Sequence, residues 1–242
     1  MTQSPFSHRI SACSPGESDV TLSHRDLRLL MNGIAFRKKV YRGQVLYSTG
    51  GIGRNLFVIH AGYFKTTLVN LGGDERVVGF HMTGDILGLE DIARNVRSTI
   101  AVALEDSEII EIQLSRLIRS LAARPDLLQD FLDLMSNSIA FGQSMMLISQ
   151  MRAEQRFASF LCNVSHEHAI RGYSSSALQL RMSRDDIGSL LGLTNSSISR
   201  LIAKFRSGGL IEIHHRNLRL LNMIGLRHLA NGTLPWDSLS TK

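Results

Sequence analysis

The 242-residue chain is 43% hydrophobic and 20% charged, a balance that suits soluble globular cores and excludes a wholly disordered or membrane-embedded chain. Its net charge of +6 is unevenly placed, with 15 basic and 15 acidic side chains in residues 1–151 against 12 and 6 in residues 152–242. The whole excess sits in the C-terminal third, where a module that neutralises the phosphates of a polyanion would need it.

Residues 1–20 read as a disordered tail with no apolar signal segment, and the protein is expected in the cytoplasm, off the membrane. Leu134 to Met151 carries no charge, but its seven Ser, Asn and Gln residues suit a helix packed on protein. A short helix follows the tail: Ser23 and Asp26 are spaced as a capping box, and Leu22 with Leu27 as a hydrophobic staple. From Lys39 to about Ile112 short alternating runs (44–47, 55–59, 63–68, 76–80, 107–112) are punctuated by Gly43, Gly50-Gly51, Gly62, Gly72-Gly73 and Gly84. This is the pattern of an antiparallel β-roll, placed at residues 21–124.

Pro125 suits the first turn of a helix over 125–151. Leu128, Leu132, Met135, Ile139, Gly142 and Met146 recur in alternating steps of four and three, a heptad seam that predicts a homodimer. A second stripe of Phe131, Leu134, Phe141, Met145 and Ile148 is left for the helix's own roll. Arg152 to Val164 is a further amphipathic helix opening the domain at 152–230, and 231–242 reads as a flexible tail. The two cysteines, Cys13 and Cys162, match no zinc or iron–sulfur spacing and read as plain thiols.

Within 182–211 the pattern is that of two short helices meeting at a glycine. Ser183 and Asp186 form a capping box, Ile187, Leu190 and Leu191 point inward, Gly192 turns the chain, and Thr194 is placed to cap the next helix. There Ile198, Leu201, Ile202 and Phe205 follow i, i+3, i+4, i+7 and must face a core. Ser196, Ser199, Arg200 and Lys204 are left outward. In a helix-turn-helix the second helix enters the major groove and a bidentate arginine on guanine is the commonest specific contact, a role that falls to Arg200. Ser196, Ser197 and Ser199 are short hydroxyls for a base or a phosphate, while Lys204, Arg206, Ser183 and Arg184 suit backbone contacts. Gly208-Gly209 ends the helix, and two strands around His214-His215-Arg216 form a wing whose tip, Arg216 included, faces phosphates. No nucleophile with a base, P-loop or metal set is present, so an enzyme is not expected. The competing reading is an effector-gated module, a roll joined to a protein-interaction domain without sequence-specific DNA binding.

Three stretches resemble the CRP/FNR regulators, most closely the FNR branch: Gly79 to Gly88, Ala153 to Leu161, and Asp186 to Leu201. The likeness runs from about Leu22 to Asn222. It implies an α+β fold with a cupin-like roll of the cyclic-nucleotide-binding type, a long dimerisation helix and a C-terminal winged helix-turn-helix. It also implies a palindromic TTGAT-like site on double-stranded DNA, and RNA polymerase as a partner if the protein activates. The branch's glutamate four residues before the recognition arginine is replaced by Ser196. The branch's iron–sulfur cluster needs three tail cysteines and one in the roll; this chain has only Cys13 in the tail and Ile110 at the roll position, so no such cluster is expected. Gly88, Arg97 and Ser98 are the effector-binding candidates, but Leu89 stands where a ribose-binding glutamate would, which argues against cyclic AMP. Arg97 reads as a surface residue of the roll. No cofactor is predicted; haem stays open, with His60, His81, His166 and His168 as candidate ligands.

Overall fold

The computed structural model describes residues 36–70 and 72–233. The expected tail, the capped helix at Ser23 and Asp26, Cys13 and residues 234–242 lie outside the described residues. Contacts divide the described residues into two compact units, one of 36–141 with 181–195, the other of 142–180 with 196–233.

In the first unit eight strands form two antiparallel sheets: β1 (Phe36–Val40), β2 (Val45–Tyr47), β3 (Asn55–Ala61), β4 (Tyr63–Val69), β5 (Glu75–Met82), β6 (Ile86–Leu87), β7 (Thr99–Ala103) and β8 (Ser107–Gln113). One sheet runs β1-β8-β3-β6 and the other β2-β7-β4-β5. Val40, Phe57, Ile59, Leu87 and Ile109 of the first meet Phe64, Ala101 and Ala103 of the second in the main core. The opposite side of β3 and β8 is also covered: Val58 and Ile110 pack with Leu134, and Leu56 packs with Leu117, Leu121, Leu127 and Phe131. Burial on both faces explains why β3 is a continuous apolar run rather than an alternating one. The covering residues belong to α1 (Leu114–Ala123) and to the first half of α2 (Pro125–Ile148).

Helix α2 therefore gives Phe131 and Leu134 to its own roll, as their spacing predicts. On the expected seam Leu128, Leu132, Ile139 (61% exposed) and Met146 (72%) are open, Met135 is half-buried, and Gly142 has open space around it. Phe141, expected to face the roll, is 42% exposed; the α2 residues that cover the roll, Leu127, Phe131 and Leu134, lie in the first half of the helix.

The second unit holds α3 (Ala153–Ile170), β9 (Ala177–Gln179), α5 (Asn195–Ser207), β10 (Ile211–His214), β11 (Asn217–Leu220) and α6 (Met223–Ala230). Its sheet runs β10-β11-β9, with Ile211 to His214 opposite Leu220 to Asn217. Phe157 of α3 meets Phe205 of α5 edge to face, centroids 5.1 Å apart. Helix α4 (Arg184–Leu191) belongs with the first unit. Strands β1, β6, β7 and β9 and helix α6 do not stand out in the sequence, since two to five residues show too few periods to separate strand from loop, and the eight of α6 make barely two helical turns.

Candidate nucleic-acid interface

Helix α4 begins where the sequence predicts. The Ser183 hydroxyl accepts from the Asp186 N–H (3.1 Å), and Asp186 Oδ2 accepts from the Ser183 N–H (2.9 Å) and hydroxyl (2.7 Å). This reciprocal pair satisfies orphan donors of the first turn. Gly192 closes the helix in the left-handed region, φ 63°, a conformation a side chain would resist. Ile187 and Leu191 are buried and Leu190 is half-buried.

Asp186 also accepts from Lys65 Nζ of β4 at 2.5 Å, and the Ser189 hydroxyl accepts from the Val77 N–H of β5 at 2.9 Å. Arg181, just ahead of the helix, pairs with Glu105 at 3.0 Å. Burial pushes the Asp186 carboxyl up, but the hydrogen bonds from Lys65 and Ser183 outweigh it and hold the carboxyl below the ordinary aspartate value. Asn195 at the start of α5 donates to Asp185 at 2.7 Å.

All four predicted inward residues of α5, Ile198, Leu201, Ile202 and Phe205, are buried, which fixes the helix's rotation. Fully burying side chains of this kind is worth about 1.5–3 kcal/mol each. The other face then carries Ser196, Arg200 and Arg206 exposed and Ser197, Ser199 and Lys204 half-buried. Arg200 Nε donates to the Ser196 carbonyl at 3.3 Å, which lays the guanidinium along the helix toward its N-terminal turn. Lys204 donates to Glu154 of α3 at 2.8 Å. That hydrogen bond holds the Glu154 carboxyl below its ordinary value, against the effect of burial. Glu154 does not stand out in the sequence; no local pattern links it to a lysine 50 residues later.

Ser183 and Arg184 stand exposed at the start of α4, in the other compact unit. Arg216 is exposed at the β10–β11 turn beside His215, whose φ of 55° puts it in the left-handed region. Arg219 lies 3.6 Å from Glu212 across the wing. Of the histidines considered as haem ligands, His81 is hydrogen-bonded to Thr66 (2.9 Å) and His168 packs against Tyr173.

The effector candidates form a separate cluster inside the roll, and one expectation fails there. Arg97, read as a surface residue, is only 2% exposed. Its Nη1 lies 3.7 Å from Asp91 Oδ2, its Nη2 donates to the Asn55 carbonyl, and its guanidinium stacks 4.4 Å from the Tyr47 ring centroid and 5.4 Å from that of Phe57. A buried arginine needs a counter-charge; Asp91, six positions earlier and fully buried, supplies it. The Gly-Leu-Glu-Asp run at 88–91 is the one signal of this in the sequence, and nothing local to it says that Asp91 turns inward.

The comparisons with known proteins agree with this architecture. The cyclic nucleotide-binding domain family matches residues 37–124 and the Crp-like helix-turn-helix domain family residues 155–229. The transcriptional regulatory protein btr of Bordetella pertussis is 37% identical over 229 residues, 93% of this chain and 95% of its own. The fumarate and nitrate reduction regulatory protein of Escherichia coli is 36% identical over 214 residues, 88% of this chain and 86% of its own. Among solved structures, FixK2 from Bradyrhizobium japonicum superposes with a TM-score of 0.74 at 21% identity, covering 81% of this chain and 97% of that one. Extensive identity to two regulators, with both domain families in the same order, makes this chain a member of the CRP/FNR family of transcriptional regulators, its C-terminal part a helix-turn-helix DNA-binding domain.

Proposed function

We infer that the protein acts in the cytoplasm as a homodimer on a palindromic, TTGAT-like duplex, one α5 helix entering the major groove of each half-site. The observation that carries this reading is the division of α5: four apolar side chains are buried while Ser196 and Arg200 stand open on the other face. Arg200 reads guanine by two hydrogen bonds, and Ser196, Ser197 and Ser199 touch base edges or the nearest phosphates. Arg206, Ser183 and Arg184, with Arg216 on the wing, set the register through the phosphates. Lys204 joins them by exchanging Glu154 for a phosphate, or stays as the strut that holds α5 to α3.

Dimerisation uses the open α2 row of Leu128, Leu132, Met135, Ile139, Gly142 and Met146. Two-fold symmetry then places the half-sites about one helical turn apart. Where the bound site lies upstream of a promoter at activating distance, RNA polymerase is the further partner. The name of the Escherichia coli relative points to genes of anaerobic or nitrogen metabolism as targets.

Selection of bound duplexes from a random pool tests this directly. The expected product is a two-fold symmetric consensus with a guanine in each half-site, with relaxed preference at the base pair that a glutamate in place of Ser196 would read. An asymmetric consensus, or none at low salt, overturns the reading.

A further inference from the structure

The roll carries the fold of a nucleotide-binding domain, and its Arg97-Ser98 dipeptide has the donors an anion would need. Both residues, however, are already engaged. Asp91 Oδ1 accepts from the Ser98 N–H (3.1 Å) and from the Ser98 hydroxyl (2.6 Å), and Asp91 Oδ2 faces the Arg97 guanidinium. One carboxylate thus accepts from a hydroxyl and a backbone N–H on Oδ1 and faces a guanidinium at ion-pair distance, 3.7 Å, on Oδ2, the kinds of group that hold a phosphate. Asp91 reaches this position because the chain leaves β6 through Gly88, φ 89°, into a 3-10 turn at Leu89–Asp91.

The surroundings close the cradle. Any Cβ at Gly88 would collide with Arg97 Nη1, so the guanidinium lies directly on the turn's backbone. The rings of Tyr47 and Phe57 stack together, centroids 5.7 Å apart, and lie within cation–π reach of the same guanidinium. Leu89 follows Gly88 and offers no acceptor for a ribose hydroxyl. A cyclic nucleotide would bring a second anion against a fully buried Asp91, where like charges repel strongly. These residues do not fit that ligand.

We propose that Asp91 is a built-in anion, a carboxylate of the chain itself that fills the phosphate cradle of Arg97 and Ser98, so that the roll folds without a nucleotide. The cradle still exists beneath it. Arg97 Nε and Nη1 make no hydrogen bond among the described residues, so removing the carboxylate leaves a buried cation with donors to offer, and an external anion then takes its place.

The test is thermal unfolding of the full-length protein in chloride, in inorganic phosphate and in cyclic AMP at equal ionic strength. Wild type is expected to show no anion-specific shift. D91A is expected to melt lower in chloride and to recover by about 3 °C or more in phosphate or cyclic AMP; recovery in phosphate alone means that the opened cradle takes an anion but not a nucleoside. D91A/R97M, with both charges gone, is expected to melt above D91A in chloride and to ignore phosphate. D91N, which keeps the side chain's shape, repeats the comparison should D91A not fold. Saturable binding of cyclic AMP or cyclic GMP by wild type in calorimetry overturns the proposal, as does a folded D91A or D91N that no anion stabilises.

Discussion

Among the described residues Arg200 is held by a 3.3 Å hydrogen bond from Nε to the Ser196 carbonyl, which leaves its terminal nitrogens for a ligand. A bidentate arginine–guanine pair is worth about 1–3 kcal/mol of discrimination. Arg200→Ala is therefore expected to lower the ratio of specific to random-duplex affinity by roughly 5- to 150-fold, measured by competition binding at fixed salt, while binding to random duplex changes much less. An unchanged ratio removes Arg200 from its assigned role. Arg97 shows the opposite case, an arginine whose charge serves the interior: its partner is a buried carboxylate rather than solvent or a ligand.

Among the elements, α4 is the most informative. Its capping box, inward residues and terminal glycine are all local features, and all were legible in sequence. Its attachment to the roll was not: Lys65 and Asp186 are 121 positions apart, and neither has a local pattern that names the other. Lys65→Met is expected to lower the Tm at neutral pH by roughly 2–4 °C, equivalent to about 1 kcal/mol for a protein of this size. Because the folded-state pKa of Asp186 lies below the ordinary 3.8, the carboxylate's contribution is complete well above that value and is lost as the pH falls through 3.8 and below. The Tm gap between wild type and Lys65→Met should therefore be full at neutral pH and narrow in acid. A gap that widens on acidification contradicts the assigned ion pair.

For the whole molecule the question is what covers α2. Leu128, Leu132, Ile139 and Met146 of the proposed seam are all at least 41% exposed in one chain, and an apolar row of this length in water is what the association surface proposed above requires. In a two-fold symmetric pair Ile139→Glu opposes like charges across the seam, which costs several kcal/mol. The dimer should weaken by about a hundredfold or more in sedimentation, and binding to a palindrome should fall with it while a half-site duplex is bound as before. A variant that stays dimeric at the wild-type concentration shows that the seam lies elsewhere.

What the sequence determined alone was everything that depends on neighbours a few positions apart: the strand runs set off by glycines, the capping box at Ser183, the turn at Gly192, and the rotation of α5 set by Ile198, Leu201, Ile202 and Phe205. Hydrogen bonding and amphipathic burial act over one or two turns of chain, so they leave periodic traces. Only the tertiary structure decided which charges go inside and what meets them, since a buried ion is tolerated only where a counter-ion arrives in space. Asp91 beneath Arg97 is a pairing of that kind; Glu154 on Lys204 and Lys65 on Asp186 are only partly buried, but they too join residues 50 and 121 positions apart, and the intervening sequence carries no record of them.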